Sequence, residues 1–221
     1  VGYMYGTAGS STYEETHKNT HNSTIKTFID NWYKANLSNY ASYLQDSIYC
    51  NDRSIISVDS FMGMELTGNG TGTLKTAYSD LTRNFKNNPR TPSLKCSNVN
   101  DRFTVSTENG NGALTYPIGL ITTDEAVLSG GGPIDFSDAD NLTFIGASDF
   151  YLLNGGYYWT MTPLAYAGGR GRALADVVDG YGDVGYGSVI NDFGGVRVVV
   201  SLKSDAITGG NGTMNNPFTV E

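Results

Sequence analysis

The stretch from Leu164 to Phe193 reads LAYAGGRGRALADVVDGYGDVGYGSVINDF, within a chain of 221 residues. It is rich in Gly, Ala, Asp, Tyr and Val but contains no Lys, Glu, Gln, Met or Trp. Apolar and polar residues alternate in the part VVDGYGDVGYGSV. An alternation of this kind is typical of a half-buried strand, or of a loop supported by such a strand. We therefore predict that the valines pack inward, namely Val178, Val184 and Val189, and that the intervening residues point outward, namely Asp179, Tyr181, Asp183, Tyr186 and Ser188.

Short strand candidates lie on both sides of this stretch. They are rich in β-branched and aromatic residues and are separated by Gly, Asn and Pro. The candidates are RFTVST (102–107), LTYPIGLIT (114–122), NLTFIG (141–146), YYWTMTP (157–163) and GVRVVVSLK (195–203). The turn-rich end, ITGGNGTMNNPFTVE (207–221), predicts a terminal hairpin or tail.

Helical patterns lie mainly in the first half. NSTIKTFIDNWYKANLSNYASYLQ (22–45) has apolar residues at helical spacing after a cap at Ser23 or Thr24, and a second short helix is expected from Ser38 to Gln45. TLKTAYSDLTRNF (73–85) predicts a third helix, and TTDEAVLSG (122–130) a short one capped by Thr123 or Asp124. Helices early and strands late predict a single α+β domain, with a helical half at 1–96 that includes a loop insertion and a strand-rich half at 97–221.

Charge and hydropathy exclude several classes of partner. The net charge is −8 and the pI is near 4.6, so nucleic acid and anionic membrane surfaces are not expected as partners. No apolar run approaches the ~20 residues of a membrane span, so this segment is not expected to insert into a membrane. The chain begins at Val1 without a signal-peptide pattern, which we interpret as excision from a longer precursor or as artificial trimming. Any anchor or stalk would then lie outside this segment.

The two cysteines, Cys50 and Cys96, lie in similar polar settings, CNDRS and CSNVNDRF. We favour a disulfide over two unrelated thiols, because the chain has little Lys, much Asn, Thr, Ser, Tyr and Gly, and no further Cys. A disulfide implies an oxidising compartment. The repeated sequence NDR is interpreted as a turn former beside a cysteine.

Residues that carry catalysis or bind metals are scarce. His17 and His21 have the i, i+4 spacing of a metal site, but the segment EETHKNTHNS favours a polar loop. Asp135, Asp138 and Asp140 in DFSDADN offer oxygen ligands for Ca2+ without the Glu and Gly of an EF-hand, so no cofactor is expected. The G-x-S-x-G, H-E-x-x-H and P-loop patterns are absent, and we do not expect an enzyme.

Several motifs together resemble a known family. YYWTMTP, the Gly/Tyr/Asp-rich segment after it and GGVRVVVSLKS (194–204) resemble the C-terminal half of bacterial and viral surface modules with a C-type-lectin-like fold, which formylglycine-generating-enzyme-type domains share. STIKTFIDNWYKANL, CNDRS, NDRFTV and LTYPIGLITTDEAVLSGG look like the helical half of that family. The resemblance implies this fold for most of the chain and a scaffold role for Trp159, Pro163 and Arg197. An Arg opening a mostly apolar strand needs a buried carboxylate or carbonyl partner. The E-P-N and Q-P-D calcium motifs of sugar-binding lectins are absent.

Within this fold, residues 164–193 resemble the variable region in the variable proteins of diversity-generating retroelements. In that group an error-prone reverse transcriptase rewrites template adenines, and randomised AAC or AAT codons never encode Lys, Glu, Gln, Met or Trp. The resemblance implies a variable ligand-binding face made of Tyr166, Arg170, Arg172, Leu174, Asp176, Asp179, Tyr181, Asp183, Tyr186, Ser188, Ile190, Asn191 and Phe193. Tyr would supply rigid contact area and Gly and Ser adaptability, as in antibody paratopes.

From this resemblance we expect a receptor-recognition or adhesion domain displayed on a virion or cell surface, for example at the tip of a tail fibre. It would bind a protein or glycan of a target cell without turning it over, and oligomers would form through a stalk outside this segment. One alternative is a structural pilin- or fibre-type subunit without diversification. Another is a formylglycine-generating enzyme, which would need redox-active cysteines near the C-terminal cleft, whereas both cysteines here precede residue 97.

Overall fold

A seven-stranded sheet carries the described part of the stretch 164–193 in its central strands. The computed structural model describes residues 19–20, 22–56, 60–61, 64–65, 75–86, 90–135, 143–144, 147, 149–167, 172–189, 194–213 and 215–220. In spatial order the sheet contains β10 (Thr143–Phe144), β9 (Gly132–Asp135), β13 (Asp183–Ser188), β12 (Arg172–Val178), β11 (Tyr158–Ala167), β6 (Lys75–Tyr78) and β3 (Ile55–Ile56). Neighbouring strands are antiparallel except β13 and β9, which are parallel.

The remaining strands form small antiparallel pairs. These pairs are β1 (Leu44–Gln45) with β15 (Ser201–Leu202), β2 (Tyr49–Cys50) with β7 (Arg102–Phe103), β4 (Ser60–Phe61) with β5 (Met64–Glu65), β8 (Gly119–Leu120) with β14 (Val198–Val199), and β16 (Ile207–Gly209) with β17 (Thr219–Val220). The last pair is the terminal hairpin that the sequence predicted. With few helices and mostly antiparallel strands, the described part of the chain has the predicted mixed α+β character.

The helices around residues 22–45 and 122–130 form where the sequence predicted them. Helix α1 (Thr24–Asn36) is capped by the Ser23 hydroxyl, which accepts from the Lys26 N–H at 3.1 Å. A 3-10 helix follows at Ser38–Tyr43. Helix α2 (Thr123–Leu128) is capped by Thr122, one residue before the predicted cap, because Thr122 and Glu125 form a reciprocal capping box. Further 3-10 turns lie at Val99–Asp101 and Ser204–Ala206.

The helix predicted at 73–85 is wrong over its first half. Residues Lys75–Tyr78 form β6, in which Ala77 pairs with Ala165 of β11 on one side and Ile56 of β3 on the other. Only Leu81–Lys86 is helical, as a single π-helical turn. Pairing between two strands buries Ala77, and this tertiary gain outweighs a local helical preference.

The strand predicted at 102–107 ends after Phe103. The carboxylate of Asp46 accepts from the backbone N–H groups of Val105 and Ser106, at 2.8 Å each. Donors engaged by a side chain cannot extend a β-ladder. The segment after Phe103 is therefore an irregular loop.

The two faces of the central sheet belong to different cores. Trp159 and Met161 of β11 and Val177 of β12 share a core with Ile29 and Tyr33 of α1. On the opposite face, three buried residues form a separate core with Ala126 of α2, namely Tyr158, Val178 and Val184. This division follows from the alternation of side chains along each strand.

The predicted disulfide between Cys50 and Cys96 is present, with the two Cα atoms 5.7 Å apart. It joins β2 to the segment before the Val99–Asp101 turn, where regular hydrogen bonding is sparse. Among the described residues, no helix combines the length and the apolar character needed to cross a membrane.

Removing this cross-link should destabilise the protein measurably. The two cysteines are separated by 46 residues, and a closed loop of that size constrains the unfolded chain by about 4 kcal/mol. We expect the double variant Cys50→Ala, Cys96→Ala to lose about 3 to 4 kcal/mol of unfolding free energy in urea denaturation. The reduced wild-type protein should show the same loss, and a reduced protein as stable as the oxidised one would contradict the prediction.

Candidate functional site

Strands β12 and β13 form a hairpin that contains most of the predicted binding residues. Their register pairs Leu174 with Ser188 and Val178 with Val184. The connecting turn is closed from within, because Oδ1 of Asp179 accepts from the N–H groups of Tyr181 at 2.8 Å and Asp183 at 3.0 Å. Gly182 allows this turn with a φ of +86°. The turn thus has a defined backbone conformation.

The structure corrects the predicted orientation of several residues. Val178 and Val184 are buried as predicted, and Tyr181 is 69% exposed as predicted. Val189, expected inside, is 44% exposed, and the prediction that Asp179 and Asp183 point to solvent is wrong because both are buried. Asp179 turns inward to cap the backbone of its own turn, as described above.

The other predicted binding residues divide in the same way. Leu174 and Asp176 are buried, whereas Tyr186 and Ser188 are partly exposed. Tyr166 and Arg172 lie on β11 and β12, but their side chains are outside the described part. Arg170, Ile190, Asn191 and Phe193 also lie outside the described residues. A ligand contact by any of them stays a prediction.

A buried polar network lies under the hairpin, on the α2 side of the sheet. Asp176 accepts from the Thr123 hydroxyl at 2.7 Å, and the Thr160 hydroxyl donates to the backbone carbonyl of Asp176 at 3.0 Å. Asp80 faces Asp176, and Asn84 donates to Asp80 at 2.6 Å. Three distant segments of the chain therefore meet at Asp176.

Asp80 and Asp176 form a buried carboxyl pair whose surroundings favour a retained proton. Both residues have no exposed surface, and Oδ2 of Asp80 and Oδ1 of Asp176 have no donor when both groups are ionised. Burial raises the pKa of Asp80 to about 6 and that of Asp176 well above its usual range. The charge of Asp80 raises the pKa of Asp176 further, whereas the hydrogen bond with Asp176 lowers that of Asp80. One proton on the pair supplies the missing donor and removes the like-charge repulsion.

The outer end of the network is an ion-pair cluster. The Arg83 guanidinium donates to Asp124 through Nη2 at 2.7 Å and Nε at 3.1 Å, and to Asp52 through Nη1 at 2.7 Å. Asp124 also accepts from Asn84 at 3.0 Å and from the Ser93 N–H at 2.9 Å. The single guanidinium of Arg83 lies against both carboxylates, and its charge offsets part of the cost of burying them.

A pocket of about 280 Å³ opens beside this cluster. Its wall includes the disulfide, Arg83 and Asp124, and its rim carries the exposed side chains of Ile48 and Leu94. The guanidinium of Arg102, also in the wall, donates to the Cys96 carbonyl at 2.7 Å. The charged groups in this wall thus hold the structure together, and the arrangement does not define a reaction.

A second group of exposed residues adjoins the hairpin turn. Four large side chains lie on the turn or on the loop before β11, and we call them the tyrosine surface: Tyr151 (82% exposed), Leu153 (38%), Tyr157 (47%) and Tyr181 (69%). The two segments are in contact, because the Ala147 N–H donates to the Tyr181 carbonyl at 3.0 Å and a Cβ on Gly180 would lie 2.9 Å from the Gly155 carbonyl oxygen.

The predicted scaffold residues surround this end of the sheet. Trp159 is buried, and Pro163 lies where the β11–β12 register shifts. Arg197 donates to the Leu152 carbonyl and lies 4.9 Å above the ring of Tyr158. Arg197 therefore has the kind of carbonyl partner that its position in the sequence required.

Both predicted metal candidates lie wholly or largely outside the described residues. His17, His21, Asp138 and Asp140 lie outside the described residues, as does the side chain of Asp135. Within the described part, no group of three or more His, Cys, Asp or Glu residues is arranged to hold a metal ion.

Sequence reasoning missed the polar network and the meaning of the repeated NDR. The first copy sends Arg53 into a fully buried ion pair with Asp101 of the second copy, with Nη2 and Oδ1 2.7 Å apart. Its Asp52 binds Arg83. The repetition of NDR was the sequence signal for this ion pair. The interpretation of both copies as turn formers did not predict that Arg53 and Asp101 would pair.

Scans against protein-family models, curated proteins and solved structures each gave no match for this chain.

The proton on the Asp80–Asp176 pair predicts an unusual pH dependence. Because the folded pKa values lie above the unfolded ones, this pair stabilises the fold fully at low pH, and the contribution falls as pH rises from about 4 through the folded values. Asp176→Asn keeps an acceptor for Thr123 and gives Asp80 a donor. We expect the unfolding free energy of this variant to fall less than that of the wild type between about pH 4.5 and pH 8 in urea denaturation, because one of the two titrating groups is removed.

Asp205→Asn, at an exposed position in a 3-10 turn, is the matched control and should keep the wild-type pH profile. If Asp176→Asn also kept that profile, the pair would not hold a proton.

Proposed function

We propose that this protein is a ligand-binding module with a C-type-lectin-like fold that recognises a protein or glycan receptor of a target cell. It binds without chemical turnover and is displayed outside the cell, on a virion or a cell surface. Segment 164–193 is the part that a diversity-generating retroelement rewrites. The missing residue types in that segment and its position on a hairpin support this proposal.

The observation that carries the proposal is the way the hairpin turn presents Tyr181. The side chain is 69% exposed, while the backbone on either side is fixed by the Asp179 carboxylate and by strands in the middle of a sheet. Binding costs less free energy when the binding group is already held in position. An exposed, rigidly mounted Tyr among Gly and Ser residues is also characteristic of antibody paratopes.

The buried half of the hairpin limits which positions can vary. A substitution at Asp176 other than Asn would leave the Thr123 and Asp80 groups without their partner, and one at Val178 or Val184 would open or overfill the core. By contrast, exposed or partly exposed positions tolerate exchange. Functional copies of this protein should therefore vary at solvent-exposed positions, even if the mutating enzyme also changes codons for buried residues.

This division can be tested by sequencing many copies of the gene from its source population together with the flanking DNA. We expect variation at the exposed and partly exposed positions 181, 186, 188 and 189 and constancy at the buried positions 174, 176, 178, 179, 183 and 184. A reverse-transcriptase gene and a near-copy of the segment, differing only at template adenines, should lie nearby. Equal variation at all positions, or a flank without these elements, would refute diversification.

Recognition is tested separately by adding labelled protein to cells from the source community. Tyr181→Ala should lower the retained fraction about tenfold, as expected for a central aromatic contact. Tyr40→Ala is the matched control, because Tyr40 is also exposed but lies in the 3-10 helix after α1. If the protein binds no cells and instead assembles with rising concentration in light scattering, the structural-subunit alternative is supported.

A further inference from the structure

We infer that the tyrosine surface binds a cationic segment of a protein partner, a loop or strand bearing Arg or Lys, and that Tyr151 and Tyr157 contribute to binding together with Tyr181. The inference rests on the proposed function, since Tyr181 belongs to the proposed variable face. It adds two points to that function: Tyr151 and Tyr157, outside segment 164–193, contact the partner, and the partner is positively charged.

The loop before β11 and the hairpin turn form one continuous support for these side chains. Phe150 is buried in the core, and a Cβ added to Gly182 would lie 3.2 Å from its ring. The backbone contacts of Ala147 and Gly180 described above join the two segments at further points. Exposed aromatic side chains on adjoining segments are characteristic of protein-binding surfaces.

The loop itself is held as firmly as the turn. The Leu153 N–H donates to the Phe150 carbonyl at 2.9 Å, and the Gly195 N–H donates to the Tyr157 carbonyl at 2.7 Å. The side chain of Asn154 accepts from the Gly156 N–H at 3.0 Å, and Arg197 binds the Leu152 carbonyl. Because the backbone under Tyr151 and Tyr157 is fixed, these rings need little further ordering when a partner binds.

The charges around this surface favour a cationic partner. In the described parts of these segments (147, 149–157, 179–182 and 194–197), Asp149 is exposed, Asp179 is buried, and Arg197 is directed onto the Tyr158 ring and the Leu152 carbonyl. The chain as a whole carries a net charge of −8.

Tyrosine ring faces attract guanidinium and ammonium groups, and a negative field steers cations towards them. A neutral sugar would gain nothing from this charge. The observations therefore favour an Arg- or Lys-bearing polypeptide over a neutral glycan.

The test applies the whole protein to an array of random 15-residue peptides and, in parallel, to an array of neutral and anionic oligosaccharides. We expect the retained peptides to be enriched in Arg and Lys. Their signal should fall about tenfold between about 50 mM and 500 mM NaCl, since salt screens exposed charges. Tyr151→Ala and Tyr157→Ala should each lower the signal at least about fivefold, as aromatic contacts at an interface do. Tyr151→Phe, which keeps the ring, and Tyr40→Ala should leave the signal unchanged.

Four results would overturn the inference: no retained peptide, retained peptides without Arg or Lys enrichment, retention of oligosaccharides only, or full binding by Tyr151→Ala and Tyr157→Ala. Loss on Tyr181→Ala alone, or retention of oligosaccharides only, would refute this inference while leaving the proposed function intact. Failure of the proposed function would appear instead in the survey of gene copies and in the cell-binding assay, neither of which depends on the partner's charge.

Discussion

The carboxyl group of Asp176 lies inside the protein with no exposed surface, and the segments on that side of the sheet are arranged to accommodate it. An isolated buried carboxylate would cost many kcal/mol, so the group needs donors and a proton. Thr123 at the start of α2 provides a hydroxyl donor, and Asp80 before the π-helical turn shares the proton. This requirement links the position of α2 and of residues 80–86 to the central hairpin.

The same requirement gives the hairpin two different halves. Its buried side chains hold the sheet and the polar network together, whereas its turn and exposed positions contribute little to the core. The sequence of this segment suggests a flexible loop throughout, but some of its residues stabilise the fold and others form part of the surface. If the segment is diversified as proposed, this division lets a hairpin in the centre of a sheet carry exchangeable residues, because Tyr181 is exposed whereas the Asp80–Asp176 pair is buried.

The exposed end of the hairpin gains its definition from the fixed loop beside it. Phe150, Arg197 and the backbone of residues 149–157 hold that loop against the turn, so Tyr181 of the turn adjoins Tyr151 of the loop. Under the proposed function, Tyr181 would vary between copies of the gene and Tyr151 would stay constant. A surface of this kind would combine a conserved mode of contact with variable specificity. In the proposed complex the aromatic rings would provide contact area, and the sparse exposed negative charge would favour a cationic partner.

The sequence by itself determined the local features. Nearby residues predict the cap at Ser23, the helical spacing in α1, the short helix near Thr123 and the terminal hairpin. Composition favours the disulfide, and the order of the predicted elements favours the mixed α+β character. The inward direction of Val178 and Val184 and the exposure of Tyr181 also followed from simple alternation.

Only the tertiary structure decided which polar residues are buried. Asp176, Asp179 and Asp183 have the composition of a solvent-facing loop, yet each is buried. Asp176 is stabilised by groups about 50 or more residues away in the chain, namely Thr123 and Asp80, and Asp179 by the turn that it closes. Likewise, residues 75–78 became a strand because Ala77 meets Ala165. A local sequence pattern gives the structural preference of each segment. Long-range contacts formed on folding decide which partner stabilises a buried polar group and which segment becomes a strand.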